Sequence, residues 1–224
     1  MGRIHLGSIL GTTIDLDFSF LILLAFWVMS DVGGAGGMKY ALLWIPVIVI
    51  SVLFHELAHA AVIGAFGFGP SRIMLQGIGG VTMNERRARP WQDLLISAAG
   101  PCSSFLLAFL LRIVIVSFPR MSQDPFFAAL LPLLAEANIL WGFFNLLPVA
   151  PLDGYAMVRH FLRLFASERT SFLISIWLSM IVGALLTIVS MFLRQPFIAL
   201  LMAWFVWSSY QQWQFFRSYN RPED

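Results

Sequence analysis

The stretch VLFHELAHAAVIG, residues 52–64, places two histidines and a glutamate inside an apolar run otherwise suited to lipid. Polar groups in hydrocarbon are costly, so three together need a common reason. His55 and His59 are four residues apart, which puts them on one face of a helix, one turn apart. Two imidazoles so placed can hold one metal ion, and a glutamate directly after the first completes the HExxH pattern. Glu56 stands about 100° round the helix from His55. It is badly placed as a third ligand from the same helix and well placed to take a proton from a water beside the ion.

The chain around this stretch is built for a membrane. Of its 224 residues, 59% are hydrophobic and 12% charged, and the mean hydropathy is +0.81. A soluble domain carries about a quarter charged residues. The net charge of +2 is small, and no basic cluster interleaves with aromatics, which argues against nucleic acid as a partner. Cys102 is the single cysteine, so it allows no internal disulfide and no thiolate metal site; it reads as a small side chain in a helix. No cleavable signal is expected, and Leu6 stands where a myristoylation signal needs Ser or Thr.

A membrane helix needs roughly 20 apolar residues. Six candidate spans follow, at 18–37, 41–66, 93–118, 125–147, 171–193 and 197–216. The first is the weakest, since its strongly apolar part stops at Ser30. With a cytoplasmic N-terminus, Arg3, Arg72, Arg86, Arg87, Arg89, Arg159, Arg163, Arg169, Arg217 and Arg221 all fall inside. Lys39, Arg120 and Arg194 fall outside, with Arg112 near the outer end of the third span. This asymmetry orients the chain and favours an even number of spans. The expected fold is an all-α polytopic membrane protein of about six transmembrane helices. Two segments are expected to be short membrane-associated strands. RIHLGSILGTTIDLDFSF, residues 3–20, alternates loosely and is punctuated by Gly7 and Gly11. RIMLQGIGGVTM, residues 72–83, is too short and glycine-rich to cross and reads as a hairpin or re-entrant segment.

His59 lies eight residues before Gly67, where the second span ends. At 1.5 Å per residue the pair sits ~12 Å below that end, so water must enter through a polar cavity open to the cytoplasm. A catalytic zinc site wants a third protein ligand. Glu136, Asp153 and His160 are candidates, with His5 and Glu85 more remote. In FNLLPVAPLDG, residues 144–154, Pro148 and Pro151 break the fourth span and Gly154 frees the backbone, leaving Asp153 as a carboxylate in an uncharged apolar segment. His160 stands between Arg159 and Arg163 and suits the surface better. Spacing favours Asp153 and leaves His160 open.

Taken together, HELAH at 55–59, AAGP at 98–101 and NLLPVAPLDG at 145–154 resemble the site-2 proteases, the intramembrane zinc metalloproteases. GIGGV at 77–81 and the opening LGTTIDLDFSFLILL are similar to that family's strand segments, whereas the last two spans carry no recognisable motif. The resemblance implies one Zn2+ per chain, held by His55, His59 and Asp153, with Glu56 as general base. It places Asn145 near the metal, where its amide could hold the substrate peptide or the oxyanion. Gly79, Gly80 and Val81 are the candidate edge strand for an extended substrate, with a plain tight turn as the alternative. Neither a PDZ nor a CBS domain fits the short loops or the end at Asp224, so the compact prokaryotic type is expected, as a single domain over 1–224 with its catalytic core in 1–155 and further spans within 171–216. The expected partners are transmembrane or membrane-associated protein substrates, the lipid bilayer and a separate regulatory membrane protein. The expected location is the cytoplasmic membrane of a bacterium or archaeon, with both termini cytoplasmic. Glu136 could line the water cavity or pair with Arg112, and Asn138 could bond across helices. A non-proteolytic zinc-binding adaptor and a transporter are the other classes; intact Glu56 speaks against the first.

Overall fold

In a computed structural model, residues 3–9, 11–33, 37–85 and 88–219 are described. Arg86, Arg87 and Arg221, used above for orientation, and residues 34–36 of the first expected span lie outside the described residues. The chain forms two compact units, Met1–Arg87 with Ala99–Phe143, and Ala88–Ala98 with Phe144–Asp224.

The first unit contains one four-stranded sheet, in the order β1 (Arg3–Ile9), β2 (Thr12–Asp17), β3 (Arg72–Gln76) and β4 (Gly79–Met83). Both segments expected as strands are therefore strands, and they share a sheet. β1 and β2 form an antiparallel hairpin, β2 and β3 run parallel, and β3 returns antiparallel into β4. A parallel pair needs a long crossover. Here it is helical: α1 (Ser19–Asp31), α2 (Gly37–Ala41) and α3 (Trp44–Ala65) lie between β2 and β3. Ile14, Ile73 and Leu75 from the sheet pack with Phe20 and Leu23 of α1 and Ile48, Val52 and Ala60 of α3. That core fixes the HELAH helix against the strands. α3 stops where Gly67 takes a φ of +72°, a backbone that suits a residue without Cβ just past a helix end.

Polar contacts pin the sheet at its buried strand. Asp15 is 5% exposed, lies 2.9 Å from His5 Nδ1 and pairs with the Arg72 guanidinium. The hydrogen bond with His5, then that with Arg72, holds its carboxyl below the usual carboxylate range. Ser19 ties the β3–β4 turn to the start of α1, its hydroxyl accepting from the Gly77 N–H at 2.9 Å. The rest of the first unit comes from α4 (Pro90–Ser117) and α5 (Pro125–Asn145). Asn138 of α5 donates to Ser51 Oγ of α3 at 2.9 Å, which is the expected bond across helices. Glu136 is exposed on α5, and no ion pair joins it to Arg112 among the described residues. Cys102 is exposed on α4.

The second unit holds the first turns of α4 with α6 (Asp153–Leu162), α7 (Glu168–Phe192) and α8 (Pro196–Tyr219). Ala150, Tyr155, Phe172 and Ile176 form its core, with Leu173, Trp213 and Phe216 packed against them. α7 and α8 approach closely at Gly183, where a Cβ would lie 2.7 Å from Val206 Cγ2.

The protein is thus mostly helical with one small sheet. Among the described residues four helical stretches are long and apolar enough to cross a membrane: Gly37–Ala65, Pro90–Ser117, Pro125–Asn145 and Glu168–Phe192. They match the second to fifth spans read from the sequence to within a few residues. The first and sixth differ for separate reasons. α1 is apolar but has 13 residues, about 20 Å of helix. α8 has 24 residues, but its last nine carry Gln211, Gln212, Gln214 and Arg217.

Candidate metal centre and catalytic site

His55, Glu56 and His59 all lie on α3 and are buried, at 2%, 5% and 6% exposure. The two imidazoles are one turn apart, with ring centroids 4.9 Å from each other. Ser104 of α4, itself fully buried, has its Oγ 3.0 Å from His55 Nδ1. That contact leaves His55 Nε2 for the other side of the ring. Gly100, one turn before Ser104, shows where both Nε2 atoms point. A Cβ built on it would lie 2.3 Å from His59 Nε2 and 2.4 Å from His55 Nε2. The AAGP stretch is therefore a space kept open beside two converging nitrogen donors.

Glu56 is positioned from the sheet side. Thr82 Oγ1 on β4 lies 2.7 Å from Glu56 Oε2 and 3.1 Å from the Glu56 carbonyl oxygen. Gly80 lies against the same side chain, since a Cβ there would be 2.3 Å from Glu56 Cγ. Gly79 has φ +130°, and its Cβ would meet the Trp141 ring at 2.9 Å. Both glycines belong to the strand; the tight turn is Gly77-Ile78 just before it. Val81 is 40% exposed on β4, which stands at the end of the sheet order.

The candidate carboxylate comes from the segment after α5. That helix ends at Asn145, which is buried, and α6 begins at Asp153. An acidic residue in the first turn suits the helix dipole. Gly154 permits the reversal between the two helices, because a Cβ there would sit 2.2 Å from the Leu146 carbonyl oxygen. The segment is anchored midway: the Ala150 N–H donates to Ser179 Oγ of α7 at 2.8 Å, and Ser179 Oγ is 2.9 Å from Ser209 Oγ of α8.

His55, His59 and Asp153 make a group that could hold a metal ion, with one ligand atom from each all within 4.8 Å of one another. Two imidazole nitrogens and a carboxylate oxygen suit zinc and leave a coordination position open. His160, the other third-ligand candidate, lies beside Asp93, with Nδ1 3.7 Å from its Oδ2. Burial pushes the His160 imidazole below its ordinary value. His5 belongs to the Asp15 contact instead.

A model of peptidase family M50 matches residues 43–124, which include the HELAH helix, β3, β4 and the Gly100–Ser104 turn of α4. Over that stretch the chain is similar to peptidase family M50. The resemblance to site-2 proteases read from the motifs agrees with this. A zinc metalloprotease of Methanocaldococcus jannaschii is 29% identical over 216 residues, 93% of this chain and 60% of that one. Rip3 of Mycobacterium tuberculosis is 32% identical over 170 residues, 71% of this chain and 43% of its own length. The chain thus spans about half the length of those relatives. The solved site-2 protease of M. jannaschii shares the fold, with a TM-score of 0.67 over 94% of each chain at 24% identity.

Two functional candidates escaped the sequence reading. Thr82 and Ser104 are a threonine in a strand and a serine in a helix, and neither type at those places carries a pattern. Only their contacts with Glu56 and His55 mark them.

Proposed function

We propose that this protein is an intramembrane zinc metalloendopeptidase that cleaves transmembrane or membrane-associated proteins near the cytoplasmic face. The observation that carries this reading is the convergence of both imidazole Nε2 atoms at Gly100, with the neighbouring Glu56 carboxylate held by Thr82 of β4. In this reading His55, His59 and Asp153 hold one zinc ion per chain. Such an ion supplies Lewis acidity, polarising a scissile carbonyl and making water nucleophilic near neutral pH.

The chain's own groups do the rest. A peptide bond in a membrane helix is shielded by its intrahelical hydrogen bonds, so the substrate must be held extended. Gly79, Gly80 and Val81 offer a strand edge for this, and their small side chains let a peptide approach Glu56. Glu56 accepts the proton from the attacking water and passes it to the leaving amine. Thr82 keeps that carboxylate aimed. The Asn145 amide steadies the substrate carbonyl as it gains charge.

The reading extends to the whole chain as one catalytic domain of 1–224. α1 and α8 complete six spans, α1 seated among neighbours where the bilayer thins and α8 crossing with its first 15 residues or so before its polar end meets the surface. Both termini then face the cytoplasm of a bacterium or archaeon, and a separate membrane protein regulates access.

The test is cleavage of a model transmembrane substrate by purified protein, with and without a zinc chelator, alongside Glu56→Gln. Chelator and substitution should each abolish cleavage, while Glu56→Gln keeps its zinc. Cleavage that survives both would end the peptidase assignment.

A further inference from the structure

We propose that the groove between the start of α7 and the end of α8 binds an anionic phospholipid, with Arg159 as the contact for its phosphate. The inference rests on the membrane placement of these helices and is independent of peptidase activity. Both helices change character at this end. α7 opens with Glu168, Arg169, Thr170 and Ser171 and is apolar beyond, whereas α8 is apolar up to Tyr210 and then carries Gln211, Gln212, Gln214 and Arg217. The boundary between polar and apolar lengths marks headgroup depth.

A cavity of about 710 Å³ opens here, lined by Arg159, Phe172, Ser208, Gln211, Gln212 and Phe216 among others. Among the described residues Arg159 is its only cationic lining residue. The guanidinium lies over the Phe172 ring at 5.3 Å and donates through Nη2 to Glu168 Oε1 at 2.7 Å. The Arg159 side chain is 31% exposed, so part of its guanidinium faces the cavity. A guanidinium N–H that borders an apolar cavity is met best by an anionic oxygen. Ser208, Gln211 and Gln212 add polar atoms suited to the glycerol and ester oxygens. The aromatic wall of Phe172 and Phe216 continues into the apolar faces of α7 and α8, where an acyl chain would lie. A free phosphate would leave that wall uncovered.

Charge selects the headgroup. Among the described residues this end of the unit carries Arg159, Arg163, Arg169 and Arg217 against Glu168 and Asp93, and the two carboxylates already engage Arg159 and Arg163. The surplus is positive, so a net negative headgroup such as phosphatidylglycerol is favoured over a zwitterionic one.

The experiment is native mass spectrometry of the full chain in detergent, titrated with phosphatidylglycerol or phosphatidylcholine. Arg159→Gln removes the phosphate contact. Ser208→Leu fills the groove and leaves the Arg159–Glu168 pair in place, so it serves if Arg159→Gln does not fold. Neither residue belongs to the proposed catalytic apparatus, and zinc content checks the fold of both. The native chain should retain one phosphatidylglycerol at about 10-fold lower lipid concentration than phosphatidylcholine, and both variants should lose that preference. Equal retention of the two lipids by the native chain would overturn the proposal. So would an unchanged preference in Ser208→Leu, or displacement of the lipid by millimolar inorganic phosphate.

Discussion

Thr82 Oγ1 stands 2.7 Å from Glu56 Oε2, so the last strand of the sheet grips the carboxylate of the HELAH helix. A hydrogen bond to a charged group is worth about 1.5–3 kcal/mol. Thr82→Val keeps the shape and deletes the donor. Its kcat should fall roughly 10- to 100-fold, with KM little changed and zinc retained. Thr82→Ser should restore most of the rate. A Thr82→Val enzyme that loses KM and keeps kcat would assign the hydroxyl to substrate binding instead.

Gly100 invites a variant whose two effects have opposite sign. Alanine is favoured over glycine in a helix interior by about 1 kcal/mol. Yet its Cβ would lie within 2.4 Å of both Nε2 atoms. Gly100→Ala should therefore bind zinc far more weakly, because the imidazoles must swing aside, while the helix gain offsets part of that cost in the metal-free protein. Ser104→Ala should cost a smaller share, about 10- to 100-fold in zinc affinity, by freeing the His55 ring. Zinc content by atomic emission, read with melting of the metal-free forms, checks both.

The third ligand is decided by a pair of substitutions. Asp153→Ala should lose both zinc and cleavage. His160→Ala should keep its zinc, since its imidazole lies beside Asp93. Full zinc in Asp153→Ala would move the ligand role elsewhere.

Asp15 predicts a dependence on pH. Its folded carboxyl is held below the usual range, so its contribution to stability is complete above the unfolded value of about 3.9. It is lost as pH falls through the lower folded value. The native chain should therefore be more stable than Asp15→Asn at pH 6, and the gap should close in strong acid. Melting of metal-free protein across that range reads it, and a gap that does not vary with pH would remove Asp15 from the acid response.

Much of the site was legible because its chemistry conflicts with its surroundings. His55, Glu56 and His59 stand out in an apolar helix, and Pro148, Pro151 and Gly154 announce the break before Asp153. Spacing favours Asp153 and leaves His160 open, because no motif shows that His160 lies beside Asp93, a residue much earlier in the chain. The span count turns on a different distinction. Apolar runs in α1 and α8 look alike in a hydropathy reading, but helix length and the position of glutamines separate them from the four long spans. The glycines of β4 were read partly as a turn, since nothing in the sequence shows that Glu56 presses against Gly80.

The hydrogen bonds from Ala150 to Ser179, and between Ser179 and Ser209, give the motif-free end of the chain a duty. On the proposed reading Asp153 serves only if the segment before it keeps one conformation, and here that segment hangs from Ser179 of α7, which Ser209 of α8 braces in turn. Those helices then act as a jig. Changes along their outer sides can be many and harmless, whereas a change at either serine, far along the sequence from any motif, should detune the proposed metal site. Family resemblance confined to the motifs would pass over such a lesion.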